Sequence, residues 1–332
     1  MRKKILFCIF GFVLMAFLPL AGLGAELRND VEEQSATTAQ STDESSTESS
    51  DEQEDSFIIL DTGSGETVTL SDREFCIGAL AYEMPPYYHE EALKAQCVAC
   101  YTHFCRLREK QRSDPDPELK GAYFRANLKN GREYLNDELL REKWGDKYDE
   151  YRKKLGSAVD SVFGEVMRDG DGALIDTAYF AISSGVTENA EDVFGFESPY
   201  LKAVPSPWDL TASGYCTEKT VSRGDLDGIL KKENAGYSSE KGIGEVRRTD
   251  SGTVLSIEIG GIEYGGARIR ELFGLRSAVF DVTRDGESVV FTVKGYGHGV
   301  GMSQYGANAM AQQGSDYKEI LRHYYKIPAA GE

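Results

Sequence analysis

Residues 79–86 read ALAYEMPP and place one carboxylate, Glu83, at the end of an apolar segment. Two prolines stop a helix at this point, because proline cannot continue a helix and biases the residue before it away from helical geometry. Apolar surroundings raise the pKa of a carboxyl group by removing its hydration. A carboxylic acid that stays protonated near neutral pH can act as a general acid. The alternative is a solvated glutamate at a helix C-terminus.

Helices are predicted on both sides of this stretch. Ser71 to Glu74 has the S-x-x-E pattern of a capping box, which predicts a helix over residues 75–82 that ends beside Glu83. A second helix is predicted over residues 89–111. Its small residues form a stripe that indicates close packing and a central position: Ala92, Ala95, Ala99 and Cys100. Lys94 and Gln96 interrupt this run and need partners if they are buried; the alternative is partial exposure.

The composition excludes a general nucleic-acid binder. The chain has 332 residues and a formal net charge of -18, whereas phosphate binding requires clustered basic residues. A polysaccharide substrate remains compatible, because sugars are recognised through hydrogen bonds and aromatic faces. The length allows one large domain or two.

The N-terminus has the pattern of an export segment. Arg2, Lys3 and Lys4 precede an uncharged run to residue 25, which predicts a membrane anchor or a cleaved signal peptide over residues 1–25. Either places the rest of the chain outside the cytoplasm. Residues 26–56 contain eleven Asp or Glu and one Arg, and this composition predicts a disordered acidic linker. The catalytic domain is assigned to residues 57–332.

The pattern of elements predicts an α+β fold, with mixed helices and antiparallel strands in one compact catalytic unit. Residues 112–155 are expected to form a peripheral segment that takes no part in catalysis. Helical segments are predicted at 137–143 and at 149–162, the second of which extends past the end of that segment. The remaining elements are hairpins at 57–70 and 166–182, helices at 224–232, 268–272 and 316–325 and from about residue 303, and strands at 254–259 and 289–293.

Two polar segments are candidates for binding. Residues 183–189 read SSGVTEN and end a predicted strand, where binding groups are common. Residues 294–307 read KGYGHGVGMSQYGA, and alternating glycines let the backbone approach a ligand or another element closely. The spacing is not that of a dinucleotide-binding loop. His298 is either a hydrogen-bonding partner for a ligand or a structural residue in a tight loop. Trp208 either stacks on a sugar ring or anchors the core.

Four potential metal ligands lie close together, Cys97, Cys100, His103 and Cys105. All four fall in one predicted helix, whereas closed zinc sites usually combine ligands from separate elements. A disulfide within one regular helix would be strained, and a thiol buried in a helix is normally inert as a nucleophile. Small buried thiols are therefore favoured over a metal site or a disulfide, and no metal or cofactor is expected.

The ordered motifs give the chain a family resemblance. From about residue 66 to 326 it resembles the stage II sporulation protein D family, a group of exported peptidoglycan lytic transglycosylases. The motifs that carry the resemblance are EMP at 83–85, EALKAQ at 91–96, SSGVTEN at 183–189, PYL at 199–201, SPWD at 206–209, GYGHGVGMSQYGA at 295–307 and ILRHYY at 320–325.

The resemblance implies that Glu83 is the catalytic acid. The implied reaction cleaves the bond between N-acetylmuramic acid and N-acetylglucosamine, in strands freed of stem peptides, and leaves 1,6-anhydro ends. Family resemblance and helix geometry also suggest that Lys94 and Gln96 face Glu83. The expected substrate-binding residues are Lys94, Gln96, Ser184, Thr187, His298, Gln304 and Tyr305.

One departure from the family pattern concerns Tyr101, which stands where the family commonly has an arginine. If that arginine binds glycan or positions the acid, its loss favours a second class of function, a non-catalytic wall-binding partner of a cell-wall amidase. A metal-dependent hydrolase is a third, weaker alternative. The expected partners are glycan strands, an amidase and other engulfment proteins, and the membrane through the N-terminus, with no nucleic acid.

Overall fold

The computed structural model describes residues 55–326, which form the predicted α+β fold. The helices are α1 (Asp72–Glu83), α2 (Glu90–Ser113), α3 (Asp137–Trp144), α4 (Tyr148–Ser161), α5 (Ala190–Phe194), α6 (Arg223–Glu233), α7 (Gly266–Leu272), α8 (Gln304–Gln312) and α9 (Tyr317–Tyr325). The strands are β1 (Ser56–Asp61), β2 (Thr67–Ser71), β3 (Phe124–Ala126), β4 (Tyr179–Phe180), β5 (Cys216–Ser222), β6 (Ile243–Arg248), β7 (Val254–Ile259), β8 (Ile262–Gly265), β9 (Phe280–Asp285), β10 (Ser288–Lys294) and β11 (Met302–Ser303).

Helix α2 lies at the centre of the larger hydrophobic cluster, as its stripe of small residues predicts. It packs against α1, α4, α8 and α9. Ala92, Ala95 and Ala99 are fully buried, so neighbouring helices approach the α2 backbone closely. His89 caps the helix by accepting a hydrogen bond from the Glu91 amide.

The predicted N-terminal hairpin is confirmed. Strands β1 and β2 pair in antiparallel register, and β3 adds to the other edge of β1 in parallel. Helix α1 follows β2 directly, and the Ser71 hydroxyl caps it by accepting from the Glu74 amide at 3.2 Å. The Glu74 carboxylate accepts from Arg152 of α4 at 2.6 and 2.9 Å, which ties α1 to α4.

The expectation that residues 112–155 are peripheral is wrong for their C-terminal helix. Helix α4 packs against both α1 and α2, and Leu155, Ala158 and Val159 are fully buried. The many charges of this segment lie on the solvent side of an amphipathic helix, and its apolar side completes the core.

The second predicted hairpin, over residues 166–182, is only partly correct. Arg168 and Leu174 pair across a tight turn, but β4 does not continue that ladder. It pairs instead in parallel with β11 near the C-terminus. Short apolar runs do not specify their partners, so a distant strand could replace the neighbouring one.

Residues 216–294 form a second hydrophobic cluster around Phe273, Phe280 and Phe291. Its two sheets have the orders β5-β10-β9 and β6-β7-β8, all antiparallel. Helices α6 and α7 confirm the two short helices predicted here. The buried Glu188 joins this cluster to the first, since its carboxylate accepts from Thr249 Oγ1 at 2.9 Å.

The predicted N-terminal anchor or signal peptide and nearly all of the acidic linker fall outside the described residues. Within residues 55–326, no helix combines the length and apolar character needed to cross a bilayer.

Candidate active site

Glu83 is the last residue of α1, where the sequence places it. Met84 leaves the helix in extended geometry, and its amide still donates to the Leu80 carbonyl at 3.0 Å. Pro85 and Pro86 follow and prevent a further turn. The Met84 side chain is buried and anchors this end of the helix, so the Glu83 side chain leaves α1 from a fixed backbone position.

The Glu83 carboxyl group is held in its acid form over most of the neutral range. Burial raises its pKa to about 8, and the negative charge of Glu133 adds to the rise. Hydrogen bonds from Gln304 and Tyr179 oppose this rise without cancelling it. The residue as a whole is partly exposed, but within the described part of the chain its Oε2 atom is buried and has no hydrogen-bond partner.

Two glutamine amides meet beside Glu83. Gln304 is the first residue of α8, and its Nε2 lies 3.4 Å from Oε1 of Gln96 on α2. Gln96 is fully buried, and among residues 55–326 its Nε2 has no partner. A buried donor without a partner is costly unless a ligand satisfies it. The structure therefore brings together three of the residues predicted for the site.

A buried carboxylate fixes the position of Gln304. Ser303 caps α8 by accepting from the Gly306 amide, and its hydroxyl donates to Asp209 Oδ1 at 2.8 Å. The other Asp209 oxygen accepts from the Ser183 amide at 3.1 Å. The sequence showed Asp209 only as part of the SPWD motif. Its role depends on two distant serines, which no local pattern connects to it.

The glycine-rich segment brings its own backbone against the strand that carries Tyr179. Gly301 has a positive φ of 79°, and an added Cβ would lie 2.0 Å from the Ala178 carbonyl oxygen. Gly295 approaches the Ile182 carbonyl in the same way, at 2.7 Å. The glycines thus permit close approach to another chain segment, one of the two alternatives that their spacing predicts.

Glu133 is a second carboxylate near Glu83 that the sequence did not single out. Its backbone is left-handed, with a φ of 68°. The next residue, Tyr134, packs on Gly78 of α1, where an added Cβ would lie 2.1 Å from Tyr134 Cε2. The Leu135 amide also donates to the Gly78 carbonyl at 3.1 Å. The lack of a side chain at Gly78 therefore lets this loop approach the helix that ends at Glu83.

Lys94 is engaged away from the two glutamines. Its ammonium group lies 2.9 Å from both Glu90 Oε1 and Glu91 Oε1 on its own helix. These partners raise the pKa of Lys94. The other Glu91 oxygen accepts from the Tyr317 amide at 2.9 Å. Glu91 therefore connects the start of α2 to α9, and Lys94 holds Glu91 in place.

Ser184 and Thr187 hold the segment 183–189 to its neighbours. The Ser184 hydroxyl donates to the Ser251 carbonyl at 3.0 Å. Thr187 is buried, and its Oγ1 accepts from the Val204 amide at 2.8 Å. Both hydroxyl groups therefore form hydrogen bonds within the protein. Ser184 stabilises the contact between the two hydrophobic clusters, and Thr187 stabilises the contact with the loop before Ser206.

His298 is a neutral, partly buried ring. Burial lowers its pKa to about 3, and its Nδ1 accepts from the Val300 amide at 3.1 Å. The ring lies 5.6 Å from Phe180 and 5.1 Å from Phe194, centroid to centroid. Tyr305 is partly exposed at the start of α8, next to Gln304, and its amide donates to the Ala181 carbonyl at 3.1 Å.

Trp208 is partly buried against the core. Its Nε1 donates to Gln313 Oε1 at 3.1 Å, and its ring lies 5.8 Å from that of His323. These contacts fit the core-anchor alternative better than an open stacking platform.

The cysteines of α2 are buried free thiols, as predicted. Cys97, Cys100 and Cys105 are each less than a tenth exposed. The thiol of Cys97 contacts that of Cys76 on α1. Burial lowers the pKa of His103 to about 4. In the described residues, no group of three or more His, Cys, Asp or Glu side chains is arranged to hold a metal ion.

Tyr101 lies toward the first turn of α1, at the opposite end of that helix from Glu83. Its hydroxyl donates to Asp72 Oδ2 at 2.7 Å. Arg108 donates to both oxygens of Asp72, at 3.0 and 2.8 Å, and its guanidinium lies over the Phe57 ring. Tyr101 is therefore part of a buried structural triad.

These features define a class of protein: an α+β fold whose site contains one buried acid beside Gln304, which is itself bonded to the buried Gln96. A family model described as SpoIID, Stage II sporulation protein, matches residues 62–168. Stage II sporulation protein D of Bacillus amyloliquefaciens is 37% identical over 254 residues, which span 76% of this chain and 72% of that protein. The chain belongs to the stage II sporulation protein D family.

Two proteins of Bacillus subtilis are also similar to this chain. Stage II sporulation protein D of Bacillus subtilis is 36% identical, again over 76% of this chain and 72% of that protein. A second Bacillus subtilis protein, named amidase enhancer, is 26% identical over 303 residues, which span 75% of this chain and 39% of that protein.

Proposed function

We propose that this protein is a lytic transglycosylase that acts outside the cytoplasm, anchored to the membrane by its N-terminal segment. It cleaves peptidoglycan glycan strands, freed of stem peptides, between N-acetylmuramic acid and N-acetylglucosamine during spore engulfment. The observation that carries the proposal is the carboxyl group of Glu83, whose burial raises its pKa to about 8. A general acid must hold its proton at the working pH.

The proposed reaction uses one carboxyl group twice. Protonated Glu83 donates to the oxygen of the glycosidic bond, and that bond breaks at C1 of the muramic acid. The resulting carboxylate takes the proton of the muramic acid C6 hydroxyl, whose oxygen forms a bond to C1. The products are a 1,6-anhydro sugar and a free hydroxyl on the N-acetylglucosamine. No water is consumed, and Glu83 regains its proton.

The neighbours of Glu83 support both steps. Gln304 and Tyr179 hydrogen-bond to its carboxyl group, which orients the acid and stabilises the carboxylate between the steps. The buried Nε2 of Gln96 has no hydrogen-bond partner among the described residues, and we infer that a polar group of the substrate satisfies it on binding. Hydrolytic glycosidases generally use a second carboxylate as base or nucleophile. Here the charge of Glu133 instead serves to keep Glu83 protonated.

A second candidate function is that of a wall-binding partner of an amidase. The relative named amidase enhancer favours it. The position of Tyr101 weakens it, because the departure from the family pattern lies beside Asp72.

The test is product analysis by mass spectrometry. The full-length protein and its Glu83→Gln variant are incubated with peptide-free glycan strands and with intact peptidoglycan. Anhydro-muramic ends from the wild type and none from the variant are expected. Glu66→Gln, at an exposed turn position, is the matched control and should cleave like the wild type.

Two results would contradict the proposal. Ends that carry an added water would indicate hydrolysis, with Glu133 as the first residue to test as a second catalytic carboxylate. Binding of strands without cleavage by any of the proteins would favour the amidase-partner function.

A further inference from the structure

Two arginines of the 216–294 cluster lack carboxylate partners, although the chain carries a net charge of -18. Within residues 55–326, neither Arg270 nor Arg276 forms an ion pair, whereas the nearby Arg268 pairs with both Glu233 and Glu271. Both are partly buried. A partly buried cation without an anion is unfavourable and is a natural binding point for an anionic ligand.

Arg276 is held firmly in place. Its guanidinium lies over the ring of Tyr296, 4.4 Å from the centroid. An added Cβ at Gly214 would lie 2.6 Å from Arg276 Nη1, so this glycine lets the guanidinium pack against the backbone. In the described structure, Arg276 Nε is buried and has no hydrogen-bond partner. An ordered donor without an acceptor points to a missing ligand.

Arg270 approaches the same tyrosine from α7. Its Nε donates to the Leu275 carbonyl at 3.4 Å, and its charge acts on both Tyr296 and His298. Burial lowers the pKa of Arg270, and its interaction with Tyr296 opposes this effect. Arg270 and Arg276 therefore both lie near Tyr296.

This pair is linked to the candidate active site through one chain segment. Tyr296 exchanges two backbone hydrogen bonds with Ile182, at 3.0 and 2.7 Å. Tyr179, which hydrogen-bonds to Glu83, is three residues earlier on the same segment, at most about 11 Å along an extended chain. The Gly297 amide donates to the Arg276 carbonyl at 3.0 Å, which fixes the arginine loop to the glycine-rich segment.

We propose that Arg270 and Arg276 form an anion-binding subsite for the lactyl carboxylate of a muramic acid in the bound strand. The proposal rests on the proposed function, since it takes the glycan strand as the substrate. This carboxylate is free only where the stem peptide has been removed; in a peptide-bearing strand it is an uncharged amide. Arginine suits this role because its planar donors match a carboxylate.

The subsite would explain a preference for peptide-free strands. A free lactyl group supplies the anion that the two guanidinium groups lack. An amide in its place supplies a carbonyl oxygen but no charge, and it brings the bulk of a peptide toward a partly buried position. The charge, as well as the size, of this substituent would then decide which strands bind.

The test measures binding without cleavage. Full-length protein with Glu83→Gln is titrated with peptide-free strands and with the same strands after conversion of their lactyl carboxylates to methylamides. Roughly tenfold weaker binding of the amidated strands is expected, which is the loss of one charge-assisted hydrogen bond. Equal affinity for both strands would overturn the proposal, whatever the variants below show.

Arginine variants locate the effect. Arg270→Gln and Arg276→Gln, added singly to the Glu83→Gln protein, should weaken binding of carboxylate strands about tenfold and leave binding of amidated strands unchanged. Arg284→Gln, at an exposed position on β9, is the matched control. If both arginine variants fold and still favour carboxylate strands over amidated strands as strongly as the Glu83→Gln protein does, the anion site lies elsewhere. Because binding is measured separately, the subsite can fail while strand cleavage succeeds, and the reverse.

Discussion

The side chain of Gln304 lies against the carboxyl group of Glu83 and lowers the pKa of that group, although the two residues lie near opposite ends of the described chain. Glu83 ends α1 and Gln304 begins α8. The contact exists because both helices pack on α2, whose buried Gln96 meets the same amide. The site is therefore a product of helix packing around α2.

Replacement of Gln304 by Leu should lower strand cleavage at least tenfold. The substitution removes a donor that stabilises the carboxylate form, so the pKa of Glu83 should rise further and the second step should slow. The cleavage rate as a function of pH measures both effects. Gln312→Leu, at an exposed position of the same helix, is the control; an equal loss in both variants would show that the damage is to α8 itself.

Cleavage should depend on pH with a single alkaline limb, where the rate falls as pH rises. Because the pKa of Glu83 is raised to about 8, the acid form predominates below that pH, and the rate should fall about tenfold per unit above it. Initial rates between pH 5 and 10 provide the measurement. A fall in rate near the ordinary glutamate value of 4.5 would show that the pKa of the proton donor is not raised.

The free energy of unfolding should also change as Glu83 loses its proton. The folded state binds the Glu83 proton more tightly than the unfolded chain does, so stability is present at low pH and is lost as pH rises from about 4.5 through about 8. Glu83→Gln, which cannot ionise, should be more stable than the wild type by about 4 kcal/mol at pH 8, and the gap should close at pH 4. Urea unfolding at the two pH values tests this.

Glu133→Gln should shift the fall in cleavage rate at high pH to lower pH. The negative charge of Glu133 raises the pKa of Glu83, so its removal should lower that pKa and leave less acid form at pH 8. Glu138→Gln on the exposed side of α3 is the control and should leave the profile in place. Complete loss of cleavage at every pH in a folded Glu133 variant would instead assign Glu133 a direct catalytic role.

Arg108→Ala should destabilise the protein by about 3–5 kcal/mol, because it leaves the buried Asp72 carboxylate without its cation. Tyr101→Phe should cost about 1.5–3 kcal/mol, the net value of one hydrogen bond to a charged group, and should leave cleavage unchanged. Urea unfolding and strand cleavage check the two variants. Arg112→Ala, at the exposed end of α2, should stay near wild-type stability. Loss of cleavage in a stable Tyr101→Phe protein would link this position to the reaction.

Local signals predicted much of the fold. Capping residues, helical periodicity and proline stops identified α1, α2, α9 and the end of α1 at Glu83. Short apolar runs on either side of a turn identified β1 and β2, and β7 was also predicted as a strand. Each of these signals acts within a few residues, where local sequence determines geometry. The prediction that α2 is central also followed from local composition, since only small residues permit close packing on several sides.

The missed features depend on distant partners. The pairing of β4 with β11 and the position of Asp209 between Ser183 and Ser303 are set by tertiary packing. Glu133 reaches the site because Gly78 leaves room for its loop. Lys94 and Gln96 are two residues apart and leave α2 on different sides, so the two side chains could not both face Glu83. Gln96 contacts Gln304. Lys94 pairs with Glu90 and Glu91 on its own helix.

The sequence separation of 208 residues between Gln96 and Gln304 has a consequence for the timing of activity. A nascent or truncated chain that ends before residue 304 contains the acid but lacks its amide donor and the capped helix that carries it. Local folding of the first half cannot supply either one. On the proposed function, strand cleavage would therefore begin only after the C-terminal part of the chain has folded, and completion of the chain would act as a safeguard against premature damage to the wall.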